Sequence, residues 1–178
     1  MKYYYPVELP CYTNIQEFAI EDIKKKLNST FSEQVRIKHN ISGNLLNTIN
    51  NDLYNLGLPK LSYAQSYIRR KNTKQGIHVD GDSELISLAI NIPLSGTIGS
   101  KFNWYDGEYE LIKTNVRDII FYSVVWKGEP ICVESLEITK PYLIRVDKPH
   151  SAESNINEDR WIFTMRFEHN PKDHILLC

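Results

Sequence analysis

The chain has 178 residues, of which 42% are hydrophobic and 24% charged, which is the composition of one globular domain and excludes a disordered or fibrous protein. The 21 Lys and Arg against 22 Asp and Glu give a formal net charge of -1, so the chain lacks the cationic surplus on which tight non-specific binding to nucleic acid depends. The longest nearly apolar run, residues 119–126, is too short to span a bilayer, and we expect no membrane association.

Cysteine usage and the N-terminus bear on the compartment. Cys11, Cys132 and Cys178 lack the C-x-x-C spacing of a zinc site or a redox pair. The first residues contain no apolar run of signal-peptide length. We therefore expect a cytoplasmic protein with reduced thiols.

The first sixty residues predict a helical region. Asn14 and Glu17 have the spacing of a capping box, so we expect a helix over about residues 15–27. Ser42 can cap a second helix, and Gly57 is placed to end it. The apolar face of that second helix consists of Leu45, Ile49, Leu53 and Leu56. We expect residues 1–60 to be a helical support for the rest of the domain, which spans 1–178.

From Leu61 onward the apolar period changes to two, which indicates β-strands. The candidate strands are residues 65–69, 76–79, 84–93, 100–105, 118–126, 134–138, 142–146 and 160–168. About eight short strands with no helical pattern between them favour antiparallel sheets packed as a sandwich or jelly roll. The expected fold is mainly β with N-terminal helices, and its β core covers residues 61–170.

A candidate metal site begins with the tripeptide His78-Val79-Asp80. Residues two apart in a strand point to the same side, so His78 and Asp80 can converge while Val79 faces the opposite layer. His150, from a distant strand, would complete a set of two imidazoles and one carboxylate, which suits Fe(II). The alternative is that these histidines are ordinary hydrogen-bonded core residues that never meet.

The last strand separates polar from apolar side chains by face. Arg160, Ile162, Thr164 and Arg166 share one face, while Trp161, Phe163, Met165 and Phe167 share the other. If the strand is interior, its two arginines are buried and need an anion, for which a dicarboxylate ligand is one solution. If the strand lies at a sheet edge, the arginines face water.

The order H-x-D, then a late His, then Arg ten residues later resembles the non-haem Fe(II)- and 2-oxoglutarate-dependent dioxygenases. The resemblance covers about residues 67–168 and implies a double-stranded β-helix, that is, a jelly roll. It implies that His78, Asp80 and His150 hold the metal. It also implies that Arg160 pairs with the distal carboxylate of 2-oxoglutarate.

Further cosubstrate residues follow from the same resemblance. Arg160 and Arg166 resemble the paired arginines in the last strand of the alkylation-repair dioxygenases, so Arg166 is the alternative anchor. Tyr67 resembles a tyrosine that helps to hold the cosubstrate, and Asn91 is expected to reach it. Many members carry Ser or Thr two residues after the arginine. Here that position is Ile162, and Thr164 is expected to substitute from the same face.

The function implied is oxidation of an unactivated C–H bond with Fe(II), 2-oxoglutarate and O2, giving succinate and CO2. The expected substrate is a small molecule or a peptide or amino-acid side chain, and we expect no tight binding of duplex DNA. Two alternatives remain open. One is a jelly-roll binding or structural protein without redox activity, and the other is a cupin-like metal isomerase that does not need 2-oxoglutarate.

The remaining polar and aromatic residues are assigned to the surface or to the mouth of the site. His39, His169 and His174 lack an acidic partner at ligand spacing and are expected at the surface. The basic cluster of residues 69–71 with Lys74 is interpreted as a solvated loop in preference to a guide for an anionic substrate. Loops at 97–101 and 106–114 are expected around the mouth. The aromatic residues expected there are Trp104, Tyr105 and Tyr109.

Overall fold

The computed structural model describes residues 2–27, 33–80, 87–116 and 119–171. These residues form two helices and twelve strands. In chain order they are β1 (Tyr4–Pro6), α1 (Tyr12–Lys26), β2 (Gln34–His39), α2 (Gly43–Asn55), β3 (Leu61–Arg69), β4 (His78–Asp80), β5 (Leu88–Ser95), β6 (Lys101–Asp106), β7 (Tyr109–Val116), β8 (Ile119–Trp126), β9 (Ile131–Leu136), β10 (Tyr142–Arg145), β11 (His150–Glu153) and β12 (Arg160–Phe167).

The strands make two antiparallel sheets of six strands each. The first has the order β1-β10-β5-β12-β3-β2, and the second has the order β7-β8-β4-β11-β6-β9. Strand β12 is interior, because Thr164 pairs with Gln65 of β3 on one side and with Asn91 of β5 on the other. Its arginines therefore do not lie at a sheet edge. The expectation of a mainly β fold with N-terminal helices is confirmed.

Apolar side chains fill the space on both faces of the first sheet. On the outer face, Phe163, Met165 and Phe167 of β12 pack with residues of both helices, among them Ile15 and Ile49. Each such fully buried side chain contributes about 2 kcal/mol of hydrophobic stabilisation. The inner face, which turns toward the second sheet, carries a second cluster drawn from both sheets. It contains Ala89, Phe102, Trp104, Leu136, Ile138, Ile144, Val146, Ala152 and Ile162.

Helix α1 begins earlier than its sequence predicts. Its N-cap is Cys11, and the Asn14 to Glu17 capping box lies inside the helix and does not start it. The backbone N–H of Cys11 donates to Asp52 Oδ2 at 2.9 Å, and the N–H of Ile15 bonds to the carbonyl of Cys11 at 3.0 Å. These two bonds anchor the first turn at Cys11. A contact with α2, which is distant in sequence, therefore sets this boundary.

Helix α2 has the predicted ends. Ser42 is its N-cap, although its side chain makes no capping hydrogen bond, and Gly57 follows the helix with φ 68°. The Gly57 N–H bonds to the carbonyl of Tyr54 at 2.9 Å, and the Leu58 N–H bonds to that of Leu53 at 2.8 Å. This pair of bonds is a Schellman motif, which needs the left-handed backbone that glycine adopts readily. None of the helices in the described ranges is long and apolar enough to cross a membrane.

The first sixty residues also supply strands that sequence patterns missed. Strand β1 pairs with β10 at one edge of the first sheet, and β2 pairs with β3 at the other. The expected loop at 106–114 is wrong in part, because β7 begins at Tyr109 and pairs with β8 along its whole length. Sheet edges have one hydrogen-bonded neighbour and one exposed side, so their apolar alternation is weak.

Candidate active site

The three candidate metal ligands lie on neighbouring strands of the second sheet. Strand β4 carries His78 and Asp80, and β11 begins at His150. His78 and His150 are direct partners in the antiparallel pairing of the two strands. Since His78 and Asp80 are two residues apart, their side chains share a face. The strand register thus brings together residues that are far apart in the sequence.

The ligand atoms converge on one point. The Asp80 Oδ1 atom lies 3.4 Å from His78 Nε2 and 3.7 Å from His150 Nε2, and all three atoms lie within 4.8 Å of one another. Ligands at about 2.1 Å from an octahedral metal are about 3 Å apart. The two distances from Asp80 are close to this value, and the donor set fits one divalent cation.

Backbone carbonyls orient both imidazoles. The Nδ1 atom of His78 bonds to the carbonyl of Gly76 at 3.0 Å, and that of His150 bonds to the carbonyl of Lys148 at 2.8 Å. A carbonyl only accepts, so each neutral ring carries its proton on Nδ1 and presents the Nε2 lone pair. The Gln75 amide lies 3.0 Å from His78 Nε2 and donates to that lone pair. Hydrogen bonds from Nδ1 to a backbone carbonyl, as in both of these rings, are the usual means of orienting a histidine that binds a metal through Nε2.

The charge states of the ligands suit a cation. Burial lowers the pKa of His150 to about 4, and the nearby His78 acts in the same direction, so the ring stays neutral near pH 7. Burial opposes ionisation of Asp80, but the Arg166 guanidinium holds the pKa of Asp80 well below its usual range. Arg166 donates a hydrogen bond to Asp80 Oδ2. The site therefore offers a neutral imidazole at His150 and an ionised carboxylate at Asp80.

A cavity of about 690 Å³ lies between the two sheets and adjoins these ligands. All eight residues predicted as metal ligands or cosubstrate contacts border it. They are His78, Asp80, His150, Tyr67, Asn91, Arg160, Thr164 and Arg166. Phe102 and Phe121 pack against the imidazoles, with ring centroids 4.9 Å from His150 and 6.1 Å from His78 respectively. The ligands thus sit at the wall of a cavity that is partly apolar.

The predicted cosubstrate residues lie on the first sheet and border the same cavity as the ligands. Thr164 donates to Asn91 Oδ1 at 2.8 Å, and the Gln65 amide donates to the Tyr67 hydroxyl at 2.6 Å. Arg160 is buried, and its guanidinium makes no hydrogen bond or ion pair with another residue of the described ranges. Burial, with Arg69 acting in the same direction, lowers the pKa of Arg160 to about 9.

Arg69 is not in a solvated loop, which corrects the interpretation of the basic cluster. Strand β3 continues to Arg69, which is buried and borders the same cavity. The sequence could have revealed this position, because side chains two residues apart in a strand share a face and Arg69 is two residues after Tyr67. Arg70 does not border the cavity and forms an ion pair with Asp159 at 3.1 Å. Only the first residue of the cluster therefore belongs to the site.

The expected surface position of His39 is also wrong. His39 is buried between α1 and the first sheet, where its Nδ1 lies 2.7 Å from Asp22 Oδ2 and its Nε2 lies 2.8 Å from Ser66 Oγ. Ser66 is fully buried, so no substrate can reach this Asp-His-Ser arrangement, and we assign it a structural role. His169 is exposed as expected, and His174 lies outside the described residues.

The aromatic residues expected at the mouth do not border the cavity. Trp104 is fully buried, and its indole N–H donates to the carbonyl of Arg145 at 2.9 Å. Tyr105 is buried with its hydroxyl 3.1 Å from Ser151 Oγ, and Tyr109 packs against Trp126. The paired strand β6 turns Trp104 into the core between the sheets, which a count of aromatic residues cannot reveal.

Comparisons with known proteins establish the fold and nothing finer. Neither a protein-family model nor a curated protein matches the sequence. The structure is similar to that of HygX from Streptomyces hygroscopicus, solved with nickel and 2-oxoglutarate bound, with a TM-score of 0.52 and 12% identity over 91% of this chain and 80% of that one. This similarity supports the arrangement of two antiparallel sheets.

Weaker likenesses include ycfD of E. coli, with a TM-score of 0.49 and 15% identity over 85% of this chain, and the vicilin of Corylus avellana, with a TM-score of 0.41 and 8% identity over 79%. This chain spans 41% of the ycfD chain and 31% of the vicilin chain. At these similarities the two structures add nothing about the activity.

Proposed function

We propose that this protein is a dioxygenase that uses Fe(II), 2-oxoglutarate and O2 on a double-stranded β-helix core. The observation that carries the proposal is the convergence of two imidazole Nε2 atoms and one carboxylate oxygen at the wall of a cavity. Two neutral imidazoles and a carboxylate occupy one face of an octahedral Fe(II) and leave three positions for exogenous ligands. A structural zinc site would instead close its coordination with four protein ligands.

Fe(II), when bound by His78, Asp80 and His150, would supply the oxygen chemistry, and the polypeptide supplies binding and positioning. Arg166 holds Asp80 ionised and fixes the direction of its carboxylate. The carbonyls of Gly76 and Lys148 fix the two imidazole rings. The apolar residues around these ligands, including Phe102 and Phe121, limit the access of water to the reacting atoms.

We further propose that Arg160 binds the distal carboxylate of 2-oxoglutarate, with Tyr67, Thr164 and Asn91 as hydrogen-bond partners. A buried guanidinium requires an anion, and the arginine fork matches a carboxylate. Arg166 already binds Asp80, which supports Arg160 over Arg166 as the anchor.

The volume of the cavity supports a second ligand beside the cosubstrate. 2-Oxoglutarate has about ten non-hydrogen atoms and fills less than about 300 Å³, if each takes no more than the ~30 Å³ of a liquid water molecule. The cavity of about 690 Å³ has space beyond that. The proposed substrate is therefore a small molecule or an amino-acid side chain of a peptide, which is hydroxylated or otherwise oxidised as 2-oxoglutarate yields succinate and CO2.

Metal content and cosubstrate binding test the proposal. Elemental analysis of anaerobically loaded protein should find one Fe(II) per chain, and His78→Ala and His150→Ala should each lose it. The exposed His169→Ala is the matched control and should retain the metal. Full metal occupancy in both His78→Ala and His150→Ala would refute the site.

Cosubstrate binding separates the dioxygenase from the alternatives. The loaded protein should bind 2-oxoglutarate and release succinate in the presence of O2. Stoichiometric metal without 2-oxoglutarate binding would favour a metal isomerase, and absence of stoichiometric metal would favour a binding or structural protein.

A further inference from the structure

Two arginines lie side by side on neighbouring strands at the wall of the cavity. Arg69 and Arg160 are direct partners in the antiparallel pairing of β3 with β12, and both border the cavity. Each is only 5% exposed. Two guanidinium groups at paired positions of neighbouring strands place two positive charges close together away from bulk water.

Carboxylates of the described residues do not neutralise this pair by contact. Asp159 precedes Arg160 but accepts bonds from Arg70 and from the backbone N–H of Lys71, at 3.1 Å and 2.9 Å. Arg69 donates to Gln34 Oε1, which is a neutral amide oxygen. Glu33 acts on Arg69 only as a nearby charge and is itself exposed.

Burial of two like charges is costly, and the protonation equilibria reflect that cost. Burial lowers the pKa of both arginines, and Arg69 adds to the effect on Arg160. A bound anion would offset the repulsion between the two groups. The Gln34 contact holds the Arg69 fork in place before an anion arrives, so less side-chain entropy is lost on binding.

We propose that Arg69 and Arg160 bind one carboxylate between them and that, in the proposed dioxygenase, this is the distal carboxylate of 2-oxoglutarate. A carboxylate has about four lone-pair sites, which two arginine forks can fill. Arg69 provides donors for this carboxylate from the neighbouring strand, beside those of Arg160. The inference rests on the proposed function and adds a second residue that determines cosubstrate specificity.

The test compares two ligands that differ only in the distal carboxylate. 2-Oxoglutarate and 2-oxopentanoate are titrated by calorimetry into anaerobic protein loaded with Mn(II). Arg69→Gln should weaken 2-oxoglutarate binding by about tenfold to a hundredfold and leave 2-oxopentanoate binding unchanged, because only the first ligand offers the charge-assisted bonds. Arg69→Lys keeps the positive charge without the two-pronged guanidinium, so its affinity for 2-oxoglutarate should lie between those of the wild type and Arg69→Gln. Lys71→Gln removes an exposed charge nearby and should bind both ligands as the wild type does.

The outcomes distinguish this inference from the proposed function. If Arg160→Gln abolishes the preference for 2-oxoglutarate and both Arg69 variants keep it, the role of Arg69 is refuted and the proposed function stands. If the wild type does not prefer 2-oxoglutarate to 2-oxopentanoate, both are refuted. Circular dichroism identifies any variant that fails to fold. If Arg69→Gln is lost in this way, the decision rests on Arg69→Lys, for which wild-type affinity would refute the inference.

Discussion

The carboxylate of Asp80 is shared between the metal ligands and Arg166. Its Oδ2 accepts a hydrogen bond from the Arg166 guanidinium, while its Oδ1 lies 3.4 Å from His78 Nε2 and 3.7 Å from His150 Nε2. Arg166 is on β12, an interior strand of the first sheet, and Asp80 is 86 residues earlier in the chain, on the second sheet. One ion pair therefore links the two sheets and fixes a metal ligand.

Arg166→Met should destabilise the metal-free protein by about 3 kcal/mol, because it leaves a largely buried carboxylate without its cation. A divalent cation supplies part of the missing charge, so the loss should be smaller in protein saturated with Mn(II). Urea unfolding with and without metal measures both values. Arg166→Lys is the control that retains the charge. An equal loss in both conditions would contradict this role of Arg166.

The stability of the metal-free protein should fall on mild acidification. The folded-state pKa of His150 is about 4, below its ordinary value of 6.5, so the unfolded chain takes up the proton first. The stabilisation is complete above about pH 6.5 and is lost as the pH falls toward about 4, by about 3 kcal/mol in total. Urea unfolding of wild type and His150→Gln across this range tests the effect.

His150→Gln should flatten the pH dependence without removing it. Burial also lowers the pKa of His39, against the opposing effect of Asp22, so His39 contributes in the same direction. A variant with the full wild-type slope would show that His150 is not the titrating group.

The buried Asp22, His39 and Ser66 arrangement should affect stability and not ligand binding. Ser66→Ala leaves His39 Nε2 without its partner and should cost about 1–2 kcal/mol in the free energy of unfolding. Ser66 faces the helices, on the opposite side of β3 from the cavity-lining Tyr67. Calorimetry should find wild-type affinity for metal and 2-oxoglutarate. A selective loss of ligand binding in this variant would contradict the structural assignment.

Gly96→Ala should be more disruptive than Gly43→Ala. Both glycines have left-handed backbone, with φ +61° and +59°, so both substitutions incur about 1 kcal/mol of strain. A Cβ at Gly96 would lie 2.1 Å from the Asp159 carbonyl oxygen, whereas one at Gly43 would have no neighbour within 4 Å. We expect Gly96→Ala to cost about 3 kcal/mol. Because Asp159 adjoins Arg160, Gly96→Ala should also weaken 2-oxoglutarate binding. Equal losses of stability in Gly96→Ala and Gly43→Ala would contradict the predicted clash.

Duplex DNA should bind weakly. The net charge is -1, and Arg69, Arg160 and Arg166 are buried at the cavity, where the phosphates of a duplex do not reach them. A salt titration of binding to a mixed-sequence duplex should give a shallow slope and weak affinity. Sub-micromolar affinity at physiological salt with a steep negative slope would overturn this prediction.

The sequence by itself determined the features that depend on neighbours along the chain. The alternation in β12 placed Arg160, Thr164 and Arg166 on one face, and the H-x-D spacing placed His78 and Asp80 on one side of β4, since side-chain direction in a strand repeats every two residues. The Gly57 helix end is likewise a local property of the backbone. These predictions needed no knowledge of which strands are neighbours.

Tertiary structure alone decided which of these faces meet. The pairing of His78 with His150, the bond from Arg166 to Asp80 and the position of Arg69 opposite Arg160 all depend on strand register between distant segments. The burial of His39 and Trp104 depends on which layer covers each strand. Local patterns cannot encode these outcomes, because the free energy that selects a register comes from burying a whole face against residues far away in the sequence.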